Sequence, residues 1–236
     1  MFAIFTAENF RKATHDPIAA FLYLLWINRS FSQAWEDLIL NWLTQKSEGV
    51  YIDIWANHPI RGNNTYLFYK KWWRGISVEP HKWLMKVINN KRPEDINLQI
   101  GIGKTEWALE FYVFDGHAMS TCDTETVKRY TAAWQHVVDS YTVPIWTLER
   151  LCDTYIKDKK IDILSVDVEG WDMNVLESNN WDKYRPIYII LETVEYGRNW
   201  RGTWIKQTEA FDIYLGSKGY KMAAETGINT IYKLQD

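Results

Sequence analysis

The stretch Gly49-Val50-Tyr51-Ile52-Asp53-Ile54-Trp55-Ala56-Asn57 decides how this chain is read. Its apolar run has the length and β-branched content of a buried strand, and Ala56-Asn57 open the crossing to a helix. A second run, Gly75-Ile76-Ser77-Val78-Glu79-Pro80, ends in an acid 79 − 53 = 26 positions further on. A strand, a tight turn and an acid closing the next strand form the nucleotide-binding half of a doubly wound α/β fold. There the turn faces the ligand and the acid accepts from ribose hydroxyls. Position 55 breaks the pattern, because such a turn wants glycine and holds tryptophan here.

Working outward, β and α patterns alternate. Residues 16–27 and 32–45 are expected as helices, the second with Trp35, Leu38, Ile39, Trp42 and Leu43 on its apolar face. Strands are expected over 50–54, 75–79, 97–101, 162–167 and 187–192. Helices are expected from an Asn64-Thr65 cap to Lys71, and over 81–90, 147–157 and 171–178. The run Asp162 to Asp167 is nearly all apolar, as in a central parallel strand covered on both faces. Residues 108–114 alternate as an additional strand, and the polar stretch 115–141 reads as an irregular lid facing the substrate. The end, 220–225 and 230–234, reads as a hairpin closing the sheet. The fold class that follows is an α/β doubly wound domain over 49–236, with an N-terminal helical segment, 1–48, packed on it.

Composition narrows the function. Lys+Arg 27 against Asp+Glu 30 gives a net charge of −3, so no basic surface announces nucleic acid. Cys122 and Cys152 show neither a CxxC nor a zinc spacing, which favours a reduced, cytoplasmic setting. The first residues lack the basic and long apolar regions of a signal peptide. Pro17 to Ile27 is apolar over about half a membrane span, so no integral span is expected. That helix offers a surface across which a homodimer can pack. Tryptophan is abundant at 14 residues, while glycine, at 12, is scarce for a fold built on tight turns.

Several segments in order resemble the FkbM family of S-adenosylmethionine-dependent methyltransferases. They are Ser32 to Leu40, Tyr51 to Pro59, Asn64-Thr65-Tyr66, Trp73-Arg74-Gly75, Glu79-Pro80, Arg92 to Asn97, Thr147-Leu148, Asp167-Val168-Glu169-Gly170 and Tyr220 to Tyr232. The resemblance implies a class I methyltransferase, Rossmann-like sheet of seven strands with the last antiparallel. It implies S-adenosyl-L-methionine as cofactor and a small-molecule or carbohydrate hydroxyl as acceptor.

Within that frame, Asp53 is expected to pair with the cofactor's amino end or to hold the turn, and Glu79 to accept from two ribose hydroxyls. Asn57 and Gln33 are expected near the methionine part, with a surface helix position the alternative for Gln33, and Gly101-Ile102 against the adenine, with a plain core role the alternative for Ile102. Asp167, Glu169 and His117 are the candidate bases that would take the proton from the acceptor hydroxyl. Glu192 and Asp115 lie in line with Asp167 for an oxygen-rich ion site, but no metal is assigned. His58, next to Pro59, is read as shaping the turn or touching the cofactor. The aromatics Tyr130, Trp134, Tyr196, Trp200 and Trp204 are read as packing residues before sugar platforms.

The chain departs from the family at Trp55, where the motif has glycine, and likewise at Trp35, Trp72 and Trp107. An indole in the first turn competes for the methionine pocket. Two functions stay open from the sequence: O-methylation of a sugar or polysaccharide hydroxyl, or a non-catalytic binding or scaffold protein whose cofactor turn is blocked by Trp55.

Overall fold

The computed structural model describes residues 30–115, 120–168, 170–196, 204–206 and 208–235. The expected helix 16–27, with the dimer surface placed on it, lies outside these residues, as do His117 and Glu169.

The described chain opens with α1 (Glu36–Thr44), β1 (Val50–Ile54), α2 (Tyr66–Lys70), β2 (Arg74–Val78), α3 (Lys82–Lys91) and β3 (Ile96–Leu98). Then come β4 (Gly101–Ile102), β5 (Trp107–Phe114), α4 (Thr124–Ala132), β6 (Val137–Trp146), α5 (Leu148–Tyr155), β7 (Ile163–Val166), α6 (Asp172–Glu177) and β8 (Tyr188–Glu192). The chain ends with β9 (Val194–Tyr196), β10 (Trp204–Lys206), α7 (Thr208–Ser217), β11 (Tyr220–Glu225) and β12 (Asn229–Leu234). The main sheet runs β11-β12-β8-β7-β1-β2-β3. Strands β8, β7, β1, β2 and β3 are mutually parallel, and β12 is inserted antiparallel between β8 and β11.

Side-chain parity along the strands builds two cores. Ile52, Ile54, Ile76, Val78, Leu164 and Val166 bury on one face of the sheet. Tyr51, Ile163, Ile190 and Ile231 bury on the other, against Leu40 of α1 and Phe68 and Trp73 around α2. Both faces are covered, so the central strands are mostly apolar, with Asp53, Ser77 and Ser165 buried among them.

The second face carries a buried ionic knot. Arg92, fully buried, donates through Nε to Asp95 Oδ2 at 2.8 Å, through Nη2 to Thr65 Oγ1 at 2.8 Å and through Nη1 to Asn63 Oδ1 at 3.2 Å. Tyr51 Oη and the Gly75 amide donate to Asp95, at 2.7 and 3.0 Å. Burial alone would weaken the guanidinium's hold on its proton, but Tyr51, Asp53 and Asp95 around it more than offset that. Gly75 is obligatory here, since a Cβ on it would lie 2.3 Å from the Tyr51 carbonyl oxygen. The knot joins four of the sequence segments quoted above, at 51–59, 64–66, 73–75 and 92–97.

Several expectations need correction. Residues 97–101 are not one strand: β3 ends at Leu98, while Gly101-Ile102 pairs with β6 in a separate three-stranded sheet, β4-β6-β5. The stretch 115–141 is not irregular, because it contains α4 and the start of β6. Polar composition had hidden a helix capped by Asp123, whose carboxylate accepts from the Thr126 amide at 2.8 Å. Thr65 does not cap α2 with its side chain; Asn63 Oδ1 accepts from Tyr66 N at 2.8 Å instead. In α1, Trp35 and Trp42 are exposed, and Glu36, Asp37 and Leu40 are the buried residues. Helix α7 and the β9-β10 pair were not anticipated.

Candidate functional site

Strand register places the site. Ile54 pairs with Val78 on one side and Val166 on the other, and Val166 pairs with Leu191. The residues that follow, Glu79, Trp55, Asp167 and Glu192, therefore stand in a row at the carboxyl ends of β2, β1, β7 and β8. The chain reverses its winding direction between β1 and β7, which makes this row the topological switch point where ligands bind in open α/β sheets.

Glu79 is buried and holds the turn from both sides, accepting from Asn57 N at 2.8 Å and His81 N at 2.8 Å. Burial pushes its carboxyl up to about 7 against those two amide bonds, with Asp53 adding to the rise. Each oxygen keeps a lone-pair direction beyond the amide it accepts from. Asp53 sits on the Tyr51 face by strand parity. Its Oδ2 accepts from Thr65 Oγ1 at 2.7 Å and Asn63 Nδ2 at 3.0 Å, and Arg92 Nη1 lies 3.6 Å away. Asn63 Nδ2 also donates to the Ala56 carbonyl at 3.0 Å. Asp53 thus holds the turn through Asn63. That link was missed in the sequence, where only Asn64-Thr65 drew notice.

Asp167 is half-buried, and its carboxyl is raised by burial and by the charges of Asp53 and Glu36, while a hydrogen bond with Glu192 opposes the rise. Glu36 is a second residue that periodicity could not find. It is fully buried in the first turn of α1 and accepts from Thr226 Oγ1 at 2.9 Å and Asn229 Nδ2 at 2.8 Å. Asp172 accepts from Val168 N at 3.3 Å, and burial beside Asp167 raises it to about 7. Among the described residues, no group of three or more His, Cys, Asp or Glu is arranged to hold a metal ion, and Asp115 does not join Asp167 and Glu192 in one.

The remaining expected residues scatter around this row. Asn57 follows Trp55 in the turn with φ 50°. Gly101 and Ile102 are buried and line a cavity with Trp55, Thr121, Val168 and Trp171. Gln33 is exposed beside Gly62. His58 shapes the loop as expected, its Nδ1 accepting from Ile60 N and Arg61 N, each at 3.1 Å. Trp134, expected to pack, is 87% exposed. Cys122 and Cys152 are free and buried, and burial pushes both thiols up to about 12.

A seven-stranded sheet with one strand inserted antiparallel beside its edge, and acids at the switch point, defines the class I methyltransferase architecture. The chain belongs to the methyltransferase FkbM domain family, which matches residues 53–222. Among solved structures, it is similar to a TehB-like SAM-dependent methyltransferase from Corynebacterium glutamicum, with 7% identity, 97% of this chain and 99% of that chain covered, and a TM-score of 0.42. It is also similar to the small RNA methyltransferase HEN1, with 12% identity, 88% and 27% covered, and a TM-score of 0.40. The match thus spans about a quarter of the HEN1 chain. Among curated proteins, none is significantly similar in sequence.

The family implies S-adenosylmethionine, and the frame of the site suits it. Glu79 is a buried acceptor at the strand end, Ile102 an apolar wall, and Trp171 Nε1 a buried donor with no hydrogen-bond partner beside the same cavity. Residue 55 does not suit it. The Trp55 indole lines that cavity and meets Phe111 edge-on with ring centroids 5.7 Å apart. It also packs against both the main core and the cluster of the three-stranded sheet. The acids stand at the strand ends, and an indole stands in the turn beside them where the family's motif has glycine.

Proposed function

We propose that this domain is built for S-adenosylmethionine-dependent O-methylation of a sugar or polysaccharide hydroxyl. The observation that carries the reading is the row Glu79, Trp55, Asp167, Glu192 across four parallel strands. Glu79 would accept from the ribose, and Asp167 would take the proton from the acceptor hydroxyl. A carboxyl raised by burial holds that proton better than one in water. Outside the described residues, Glu169 and His117 are the other proposed bases. The acceptor, a carbohydrate or small molecule, would approach from the side of Asp167 and Glu192. The absence of a basic excess supports a neutral acceptor rather than nucleic acid, and a cytoplasmic location is part of the same reading. Among the described residues, no helix is long and apolar enough to cross a membrane.

A second reading rests on Trp55: a protein that keeps the methyltransferase fold and binds without catalysis. Calorimetric titration with S-adenosylmethionine separates the two, together with mass detection of copurified cofactor. Micromolar binding by the chain with Trp55 supports the enzyme, while no binding, and none after Trp55→Gly, leaves only the second.

A further inference from the structure

We infer that positions 35, 55, 72 and 134 are glycine positions, and that tryptophan stands there because their codon is one that the source cell reads as glycine. The working protein then carries no side chain at residue 55, and its cofactor turn is open.

The backbone carries the inference. Among the described residues, seven non-glycines have positive φ, and four of them are tryptophans: Trp35 at 68°, Trp55 at 68°, Trp72 at 69° and Trp134 at 65°. Tryptophan supplies only 14 of the 236 residues, so this excess is not explained by abundance. Asn and Asp are the side chains that tolerate the left-handed region, and a bulky aromatic there is an outlier.

Two of the four sit at one defined place. After α2, the Trp72 amide donates to Tyr69 O at 3.1 Å and the Trp73 amide to Phe68 O at 3.1 Å. After α4, the Trp134 amide donates to Thr131 O at 3.2 Å and the Gln135 amide to Tyr130 O at 3.0 Å. Both are Schellman motifs with tryptophan at the left-handed C′ position, which glycine normally fills. A third helix end keeps glycine at its left-handed position. After α7, Gly219 has φ 87° and donates to Gly216 O at 3.1 Å.

The side chains agree. Trp35, Trp72 and Trp134 are 68%, 76% and 87% exposed, so burial does not select an indole at these places, although the Arg74 guanidinium lies 5.4 Å over the Trp72 ring. The partly buried fourth, Trp55, lines a small cavity with Ile102, Val168 and Trp171, in the turn where the family's motif has glycine. Trp73 and Trp181 behave differently. They are 1% and 8% exposed, have no positive φ, and are held by Phe68 at 4.8 Å between ring centroids and by an Nε1 bond to Leu176 O at 3.1 Å. Trp42, Trp83 and Trp107 are exposed too, but none has positive φ, so the backbone singles out the four. The opal codon UGA accounts for the four, since cells variously read it as stop, tryptophan or glycine, whereas UGG encodes tryptophan.

The test is to read the gene's codons and to weigh peptides of the protein isolated from its own cells. UGA is expected at 35, 55, 72 and 134 and UGG at 73 and 181, with native peptides carrying glycine at the four places. UGG at the four codons, or tryptophan in the native peptides, overturns the inference. A second arm compares this chain with its W35G/W55G/W72G/W134G variant. A higher melting midpoint in the variant supports the inference, and one that does not rise counts against it. The consequence for residue 55 rests on the proposed cofactor. Glycine in the native peptides with no S-adenosylmethionine binding by the variant would sink that function and leave the glycine assignment standing.

Discussion

The Asn57 amide donates to Glu79 at 2.8 Å, so the turn after β1 and the acid ending β2 share one rim of the sheet. Asn63 ties the same turn from below, donating to both Asp53 and the Ala56 carbonyl. The turn is therefore fixed on two sides, with residue 55 inside it and its indole packed against Phe111.

Trp55→Gly is expected to raise affinity for S-adenosylmethionine by at least about tenfold, equivalent to about 1.4 kcal/mol. The gain comes from vacating the cavity beside Ile102 and Trp171. Isothermal titration of the two proteins checks it; equal isotherms would show that the indole is not the obstacle.

Trp72→Gly and Trp134→Gly should each stabilise the fold by about 1 kcal/mol, because a left-handed residue with a Cβ is strained by roughly 1–2 kcal/mol and an exposed indole gives little back. For a domain of this size that is a rise of about 2–4 °C in Tm. Trp73→Gly is the opposite case. It removes a side chain 1% exposed, at a cost of about 3–5 kcal/mol. Thermal melts of the three variants should order them accordingly.

Arg92→Ala should destabilise the fold by about 3–5 kcal/mol, since it leaves Asp53 and Asp95 buried without their counter-charge. Urea unfolding measures this. A loss below about 1 kcal/mol would mean that the knot relaxes around water.

The pH dependence follows from Glu79 and Asp172, both raised to about 7 in the folded protein, from ordinary values of 4.5 and 3.8. The folded state then binds more protons than the unfolded state across that window. The stabilisation from these groups is complete below about pH 4 and lost as the pH rises toward 7, with a slope of up to about 1.4 kcal/mol per pH unit for each group. Chemical denaturation at pH 5 and pH 8 should show the decline, and Glu79→Gln should flatten it. A flat wild-type profile would contradict the burial of these acids as ionisable groups.

Local pattern was enough to place four parallel strands of the main sheet. Apolar runs at 50–54, 75–79, 162–167 and 187–192 have nowhere to go but a sheet covered on both faces, and the polar stretches between them must cross it. It also determined that an acid follows β2, because a carboxylate at the end of a buried run is visible in one dimension. Tertiary structure alone decided which acid does what. Asp53 and Glu79 look alike along the chain. Strand parity turns Asp53 toward Arg92, 39 residues on (92 − 53), while Glu79 is held by the amides of the turn. Glu36 and Asn63 reach the site through contacts that no local period encodes. The tryptophans divide the same way. A letter in the sequence cannot report its φ, and only the folded backbone separates the indoles that pack from those that occupy places shaped for a hydrogen atom.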